Sequence, residues 1–198
     1  MTGNEPTIMP SNLAGQLLVA TPQMTDPRFK HKAIFMCQHD DKAAMGLVIN
    51  NPSSDIALSQ LNEKLGIEMQ HFDSDDTVYI GGHVEPQRGY ILHSNDHMMP
   101  DTIPVTKDIC LSIHVDMIKE ISRGFGPVMK KSCLAMLAGH QASWKKKCGR
   151  ICGFIWRLNP TCFLQQTAIL SGIAALLFLH YRRLALINKR NGLMMARF

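Results

Sequence analysis

From Leu17 to Ile113 the apolar residues come in short runs, each closed by turn-forming residues, and this punctuation restricts the fold more than any other feature. Runs this short suit strands, because a helix that buries one face needs about 10 to 12 residues. Leu17 to Ala20 reads as a strand ended by Thr21-Pro22, and Ala33 to Cys37 and Met45 to Ile49 read as two more. The link QHDDKAA is short and polar enough to turn a hairpin, and Asn50-Asn51-Pro52 closes that unit. Val78 to Ile80 and Tyr90 to Leu92 are expected to be strands flanking the glycine-rich turn GGHVEPQRG, and Val105 with Ile109 to Ile113 supplies further strand material.

Two segments follow helical spacing instead. Asp55 or a neighbouring serine is expected to cap a helix through about Leu65, with Ile56, Leu58, Leu61 and Leu65 at its spacing and Gly66 as the stop. His114 to Arg123 sets Met117, Ile118 and Ile121 on one face, with Gly124 just beyond. Strands in quick succession with two helices predict an α+β domain with mostly antiparallel pairing, since parallel strands need long crossovers. At 198 residues the chain suits one domain.

Charge divides the chain unevenly. All 16 Asp and Glu lie before Cys133, where 11 Lys and Arg accompany them; the remaining residues carry 10 Lys and Arg and no acid, so the parts are −5 and +10. At ordinary usage roughly eight acids would fall in a segment of that length. The basic part offers Cys148 and Cys152 with His140 as a loose zinc-type cluster, and Lys145 to Arg150 as a nucleic-acid-type patch. Its uncharged run Cys162 to Leu179 is long enough to span a bilayer, which gives one reading of the chain as a C-terminally membrane-anchored protein. Residues 1 to 12 are polar and read as a loose arm, without a cationic segment leading into an apolar one. The six cysteines are therefore expected to be reduced thiols in the cytoplasm.

The stretch LAGQLLVATPQMTDPRFKHKAIFMCQHDDKAAMGLVINNP, followed by VYIGGHVEPQRGYILHS, resembles the AlgH/YqgE family of bacterial proteins over about residues 13 to 131. His83 departs from the family, which usually has proline between this glycine pair and the valine. The resemblance implies a single α+β domain whose sheet folds into a distorted pseudo-barrel flanked by helices, in a cytosolic protein often labelled a transcriptional regulator. It brings no reaction with it. Residues 1 to 132 are net acidic and show no helix-turn-helix, so direct nucleic-acid binding is not expected of them; a protein partner fits better, and a membrane only if the tail is genuine.

Several side chains carry candidate chemistry. His39, before Asp40-Asp41, has the make-up of a general base oriented by a carboxylate, or of a histidine at a hairpin end bonded to backbone. Gly81-Gly82 with Arg88 suits an anion held by amides and a guanidinium, or a tight connection between strands. Asn50 and Pro52, beside that turn in the family pattern, line the same cleft or simply end a strand. An enzyme or small-ligand binder would require His39, Asn50, Gly82, Arg88 and His93 to share one pocket. His83, His93 and His97 near Glu85 and Asp96 match no compact ligand spacing, so no metal is expected, and Ser94 lacks a nucleophile elbow. No P-loop or dinucleotide fingerprint occurs, and no cofactor is expected.

After Lys131 the family pattern implies a strand close to LGYAGW and an acidic helix opening GQLE, whereas this chain reads SCLAMLAGHQASWKKKCGRICGFIW. One allowed set of codons for Cys133 to Gly153, decoded from the third base of each, spells LGYAGWPSGQLEEEMRKNLW. A run of glutamate codons slipped by one base yields lysines, which accounts for Lys145 to Lys147 and the missing acids. The C-terminal third is therefore expected to be an out-of-frame product, irregular and leaving the domain short of a strand and an amphipathic helix. Sequencing the gene across codons 125 to 140 checks this: the alternative register should run without stops and spell that strand and helix.

Overall fold

Leu17–Ala20, Ala33–His39, Ala44–Val48 and Ile109–Ser112 are buried along nearly their whole length, which shows that both faces of the sheet are covered there. Leu17–Ala20 (β1) pairs antiparallel with Ala33–His39 (β2), and β2 with Ala44–Val48 (β3). The computed structural model describes residues 12–20, 24–68, 77–139 and, as strand backbone, 152–156. The acidic stretch Asp73 to Asp76, His140, Cys148, the Lys145 to Arg150 patch and the Cys162 to Leu179 run lie outside the described residues.

The remaining elements are Pro52–Ala57 (β4), Leu58–Lys64 (α1), Thr77–Ile80 (β5), Val84–Ser94 (β6), Ile103–Pro104 (β7), Ile109–Ser112 (β8), Val115–Ser122 (α2), Lys130–Gly139 (β9) and Cys152–Trp156 (β10). They join one mostly antiparallel sheet in the order β10-β1-β2-β3-β9-β6-β8-β7, with β4 and β5 branching from β9. Leu17, Val19, Phe35, Leu47, Tyr79, Tyr90, Leu92, Leu111 and Cys133 form one buried cluster although they come from strands spread across the sheet. The sheet therefore curls into a half-barrel and packs one face upon itself. On the other face, Leu18, Ile34, Met36 and Val48 pack against Leu13, Met24 and Phe29. Helix α2 covers Ile91 with Met117, Ile118 and Ile121, and α1 sets Leu58 on Val78 and Leu134. The chain is thus an α+β single domain, as its pattern of short runs predicts.

Local chemistry sets the element ends. Asp40 turns the β2–β3 hairpin by accepting the amides of Lys42 and Ala43, each at 2.8 Å. Helix α2 runs as the spacing predicts, with Gly124 at φ 84° ending it. Helix α1 starts later than Asp55, because Ser53 accepts the amides of Asp55 and Ile56 and Pro52 and Ala57 bridge to Tyr79 and Thr77, holding that stretch extended. The turn after β5 is also shorter than GGHVEPQRG: β6 resumes at Val84, and residues 85–88 bulge opposite Ala135, between the pairs Val84↔Met136 and Gly89↔Leu134.

The expectation of a missing strand is overturned by β9. Residues 133–139 continue the strand begun at Lys130 rather than being irregular, and Cys133, Leu134, Ala135 and Leu137 are buried in it. Apolar side chains at these positions suffice to fill the slot, because a strand buried on both faces needs hydrophobic volume and a backbone that hydrogen-bonds. Residues 152–156 likewise form regular strand, paired with β1 through Leu17↔Trp156.

Strand β9 holds three neighbours. It pairs along its length with β6; on its other edge it meets β5 in parallel, Val78↔Ser132 to Ile80↔Leu134, and then β3 antiparallel, Gly46↔Leu137 to Ala44↔Gly139. Ala135, at the changeover, is at φ 63°. Gly81 and Gly82 leave β5 pressed against the same point: a Cβ on Gly81 would lie 2.5 Å from the Ala135 carbonyl oxygen, and one on Gly82 2.1 Å from Met136 backbone. Urea denaturation should show Gly82→Ala costing about 3 kcal/mol or more, and Ala135→Gly adding about 1 kcal/mol by relieving the left-handed residue.

Candidate functional site

The polar residues with candidate chemistry separate into distinct places. His39 ends β2 opposite Ala44, while Asn50 follows β3 at the far end of the same hairpin, about 20 Å away at about 3.3 Å per residue. His39 is buried, and its Nδ1 has no hydrogen-bond partner among the described residues, so the expected bond to backbone at that nitrogen is not made. Arg88 sits on the β6 bulge with its guanidinium 3.1 Å from Glu85, whose carboxylate also accepts the Tyr90 hydroxyl at 2.7 Å. The Tyr90 and Arg88 hydrogen bonds, Tyr90's the stronger, hold the Glu85 carboxyl below the usual range. From Arg88 to His93 is a further stretch of strand of about 16 Å.

Asn50, Pro52, Gly81 and Gly82 do come together. The Asn50 side chain donates to the His31 carbonyl (2.9 Å) and accepts the Ala33 amide (2.8 Å), closing the turn before β2. Pro52 is exposed and pairs with Tyr79. The Gly81 carbonyl accepts the Val48 amide (2.8 Å), and its own amide donates to Leu134 (2.7 Å). Both Asn50 and Gly81 are therefore occupied in joining strands.

His93 anchors the most connected buried polar group. Its side chain is 0% exposed, covered from β8 and the loop before β7. Nδ1 donates to the Ser94 carbonyl at 2.8 Å, which leaves Nε2 to accept the Ser112 hydroxyl at 2.9 Å. Ser112 in turn accepts Thr102 Oγ1 (2.9 Å), and Thr102 accepts the Met99 amide (3.0 Å). A backbone N–H at one end and a carbonyl at the other give the chain one direction and a neutral ring. Burial accordingly lowers the His93 pKa, against the opposing pull of the Ser94 carbonyl and Asp96. Ser94 donates to Asp96 and accepts the Met129 amide (3.1 Å), while Asp96 also accepts the Val128 amide (2.9 Å). Partial burial opposes the Asp96 charge, yet these bonds hold its carboxyl below the usual range. Ser94 is thus a loop clamp with its hydroxyl engaged.

Thiol chemistry is suppressed at the described cysteines. Cys37, Cys110 and Cys133 are free and buried. Burial pushes Cys133 up to about 12 despite Lys131, whose ammonium lies 4.0 Å over the Tyr79 ring, and it raises Cys37 further. No group of three or more His, Cys, Asp and Glu able to hold a metal ion occurs among the described residues, so His83, His93 and His97 form no such cluster with Glu85 and Asp96. Lys32 is a residue the sequence reading missed: its half-buried ammonium donates to Asn51 Oδ1 at 2.5 Å. Its place just after the DPRF turn was the available signal; its meeting with Asn51, 19 residues on, was not readable there.

The curled sheet with two covering helices defines a small α+β domain, and among the described residues His39, Arg88 and His93 lie apart from one another. The AlgH-like family model matches residues 17–147, and the chain belongs to that family. A UPF0301 protein of Paracoccus denitrificans is 39% identical over 137 residues, covering 68% of this chain and 70% of that one. One of Afipia carboxidovorans is 40% identical over 132 residues, covering 63% of this chain and 62% of its own length, so the chain spans about three fifths of that relative. The solution structure of the AlgH protein from Pseudomonas aeruginosa matches with a TM-score of 0.68 at 24% identity, over 90% of this chain and 93% of that one, a likeness of fold.

The His93 chain carries a pH dependence with a definite sign. Its folded pKa lies below its ordinary value near 6.5, so the unfolded chain takes up a proton first as pH falls. The contribution to stability is complete above about pH 6.5 and lost below it. Urea midpoints should fall between about pH 7 and 5.5, and His93→Gln should flatten that slope.

Proposed function

We propose that this AlgH-like protein acts in the cytoplasm as a regulatory binding module that docks a protein partner and catalyses no reaction of its own. The observation that carries this reading is where its exposed apolar side chains lie. Phe125 is 70% exposed and Val128 81%, both between α2 and β9, and Met98 is 52% exposed in the loop before β7. The two loops are bolted together by Asp96 on the Val128 amide and by Ser94 on the Met129 amide. Large apolar groups held outward on braced loops suit protein contact, where a few such anchors dominate binding.

Two further facts favour the reading. The groups that an active site would need are divided between the hairpin end at His39, the bulge at Arg88 and the buried chain at His93. The described thiols are free, as in a reducing compartment. No helix among the described residues is long and apolar enough to cross a membrane.

The test is crosslinking in living cells with the full chain and with a Phe125→Ser/Val128→Ser double variant. The species trapped by the native chain should be lost in the double variant, whose thermal melt stays within a few degrees because neither side chain is buried. Equal trapping by both proteins would overturn the proposal.

A further inference from the structure

Two sulfur atoms meet under the loop before β7. Cys110 lies between His93 of β6 and Pro104 of β7 and is 1% exposed. Its thiol donates to the Met98 thioether, with Sγ 3.4 Å from Sδ. The loop that carries Met98 is fixed at several points: the Asn95 side chain donates to the Lys107 carbonyl (2.7 Å), Asp96 accepts the Val128 amide, and Thr102 accepts the Met99 amide. Met98 is therefore held with its sulfur against Cys110 and 52% of its surface open to solvent.

Elsewhere among the described residues, sulfur is shut in. Met24, Met36 and Met117 are buried, and Met45, Met99, Met129 and Met136 are partly buried against the apolar clusters, so Met98 alone of these methionines is exposed. Burial raises the pKa of the Cys37, Cys110 and Cys133 thiols, which suppresses the thiolate that an oxidant attacks. A thioether needs no deprotonation to react, and its oxidation turns an apolar side chain into a polar one. Of the sulfur pair, the outer atom is thus the one that a peroxide meets.

We propose that Met98 is a peroxide-responsive modification site, at which oxidation of the thioether to the sulfoxide removes an apolar anchor and releases the docked partner. The Sδ lone pair attacks one oxygen of a hydroperoxide, an S–O bond forms as the O–O bond breaks, and the proton of the attacked oxygen passes to the other, which leaves as water or an alcohol. Met98 is oxidised by two electrons and the hydroperoxide reduced by two. The new oxygen is an acceptor beside the Cys110 S–H and is hydrated where the partner needs apolar contact. Phe125 and Val128 have no sulfur to oxidise, so the change is confined to Met98. This regulation rests on the partner reading above, in which Met98 is one of the anchors.

Two measurements on the full chain test it. With no partner present, peptide mass mapping after graded hydrogen peroxide should find Met98 oxidised roughly tenfold faster than Met36 or Met117. In the cell crosslinking, a peroxide pulse should remove the species trapped by the native chain and spare that trapped by Met98→Leu, which keeps the apolar volume and forms no sulfoxide. Met98→Gln, polar at similar length, should lower trapping without peroxide. Oxidation of Met98 no faster than of the buried methionines, or equal peroxide loss from the native chain and Met98→Leu, would overturn the proposal. Equal trapping by the Phe125→Ser/Val128→Ser chain without peroxide counts against the partner reading instead, while the oxidation site is read from the mass mapping alone.

Discussion

The hydrogen-bonded seam along β9 supports everything else in this domain. One strand satisfies β6 on one edge and, on the other, first β5 and then β3. Buried backbone groups are costly when unpaired, so a strand that closes three ladders secures far more than its own residues. The changeover on its second edge requires β5 to stop and turn away within the width of a backbone. That requirement is met by Gly81 and Gly82, where any side chain would collide with Ala135 or Met136. The glycine pair is therefore a consequence of strand geometry before it is a feature of any binding site.

The same economy explains why the polar residues do not gather. Asn50 binds the start of β2, Gly81 links β3 to β9, and Ser94 and Asp96 fasten the loop before β9. Each is a junction where ladder hydrogen bonds run out and side chains replace them. A curled sheet has many such ends, and they point in different directions around its rim. The exposed apolar anchors sit on loops braced by two of these junctions. Binding functions in such a fold belong to its rim, since its interior is filled by aromatic and aliphatic side chains.

Much of this was legible in the order of residues. Short apolar runs closed by turn residues located β1, β2, β3, β5 and β8 to within a residue or two, and Met117, Ile118 and Ile121 marked the buried face of α2. Three readings needed the structure. Pro52 to Ala57 is extended because β5 lies beside it, although Ile56 and Leu58 suit a helix. β6 begins at Val84 because β9 accepts it on both sides of a bulge. The candidate site was least legible: His39 and Asn50 are close in sequence but at opposite ends of a hairpin, and Lys32 meets Asn51 only across the sheet.

By itself the amino-acid order determined the periods, the stops and the composition: short strands, two helices, buried apolar faces, and a division of charge at Cys133. These follow from local sterics and from the transfer of side chains out of water, which act on neighbours along the chain. Only the tertiary structure decided that residues 133–139 lie at the centre of the sheet, since a central strand asks for apolar volume and free backbone groups rather than a particular sequence. It also decided which polar groups are spent and which remain open, because partners for buried donors and charges come from segments far apart along the chain.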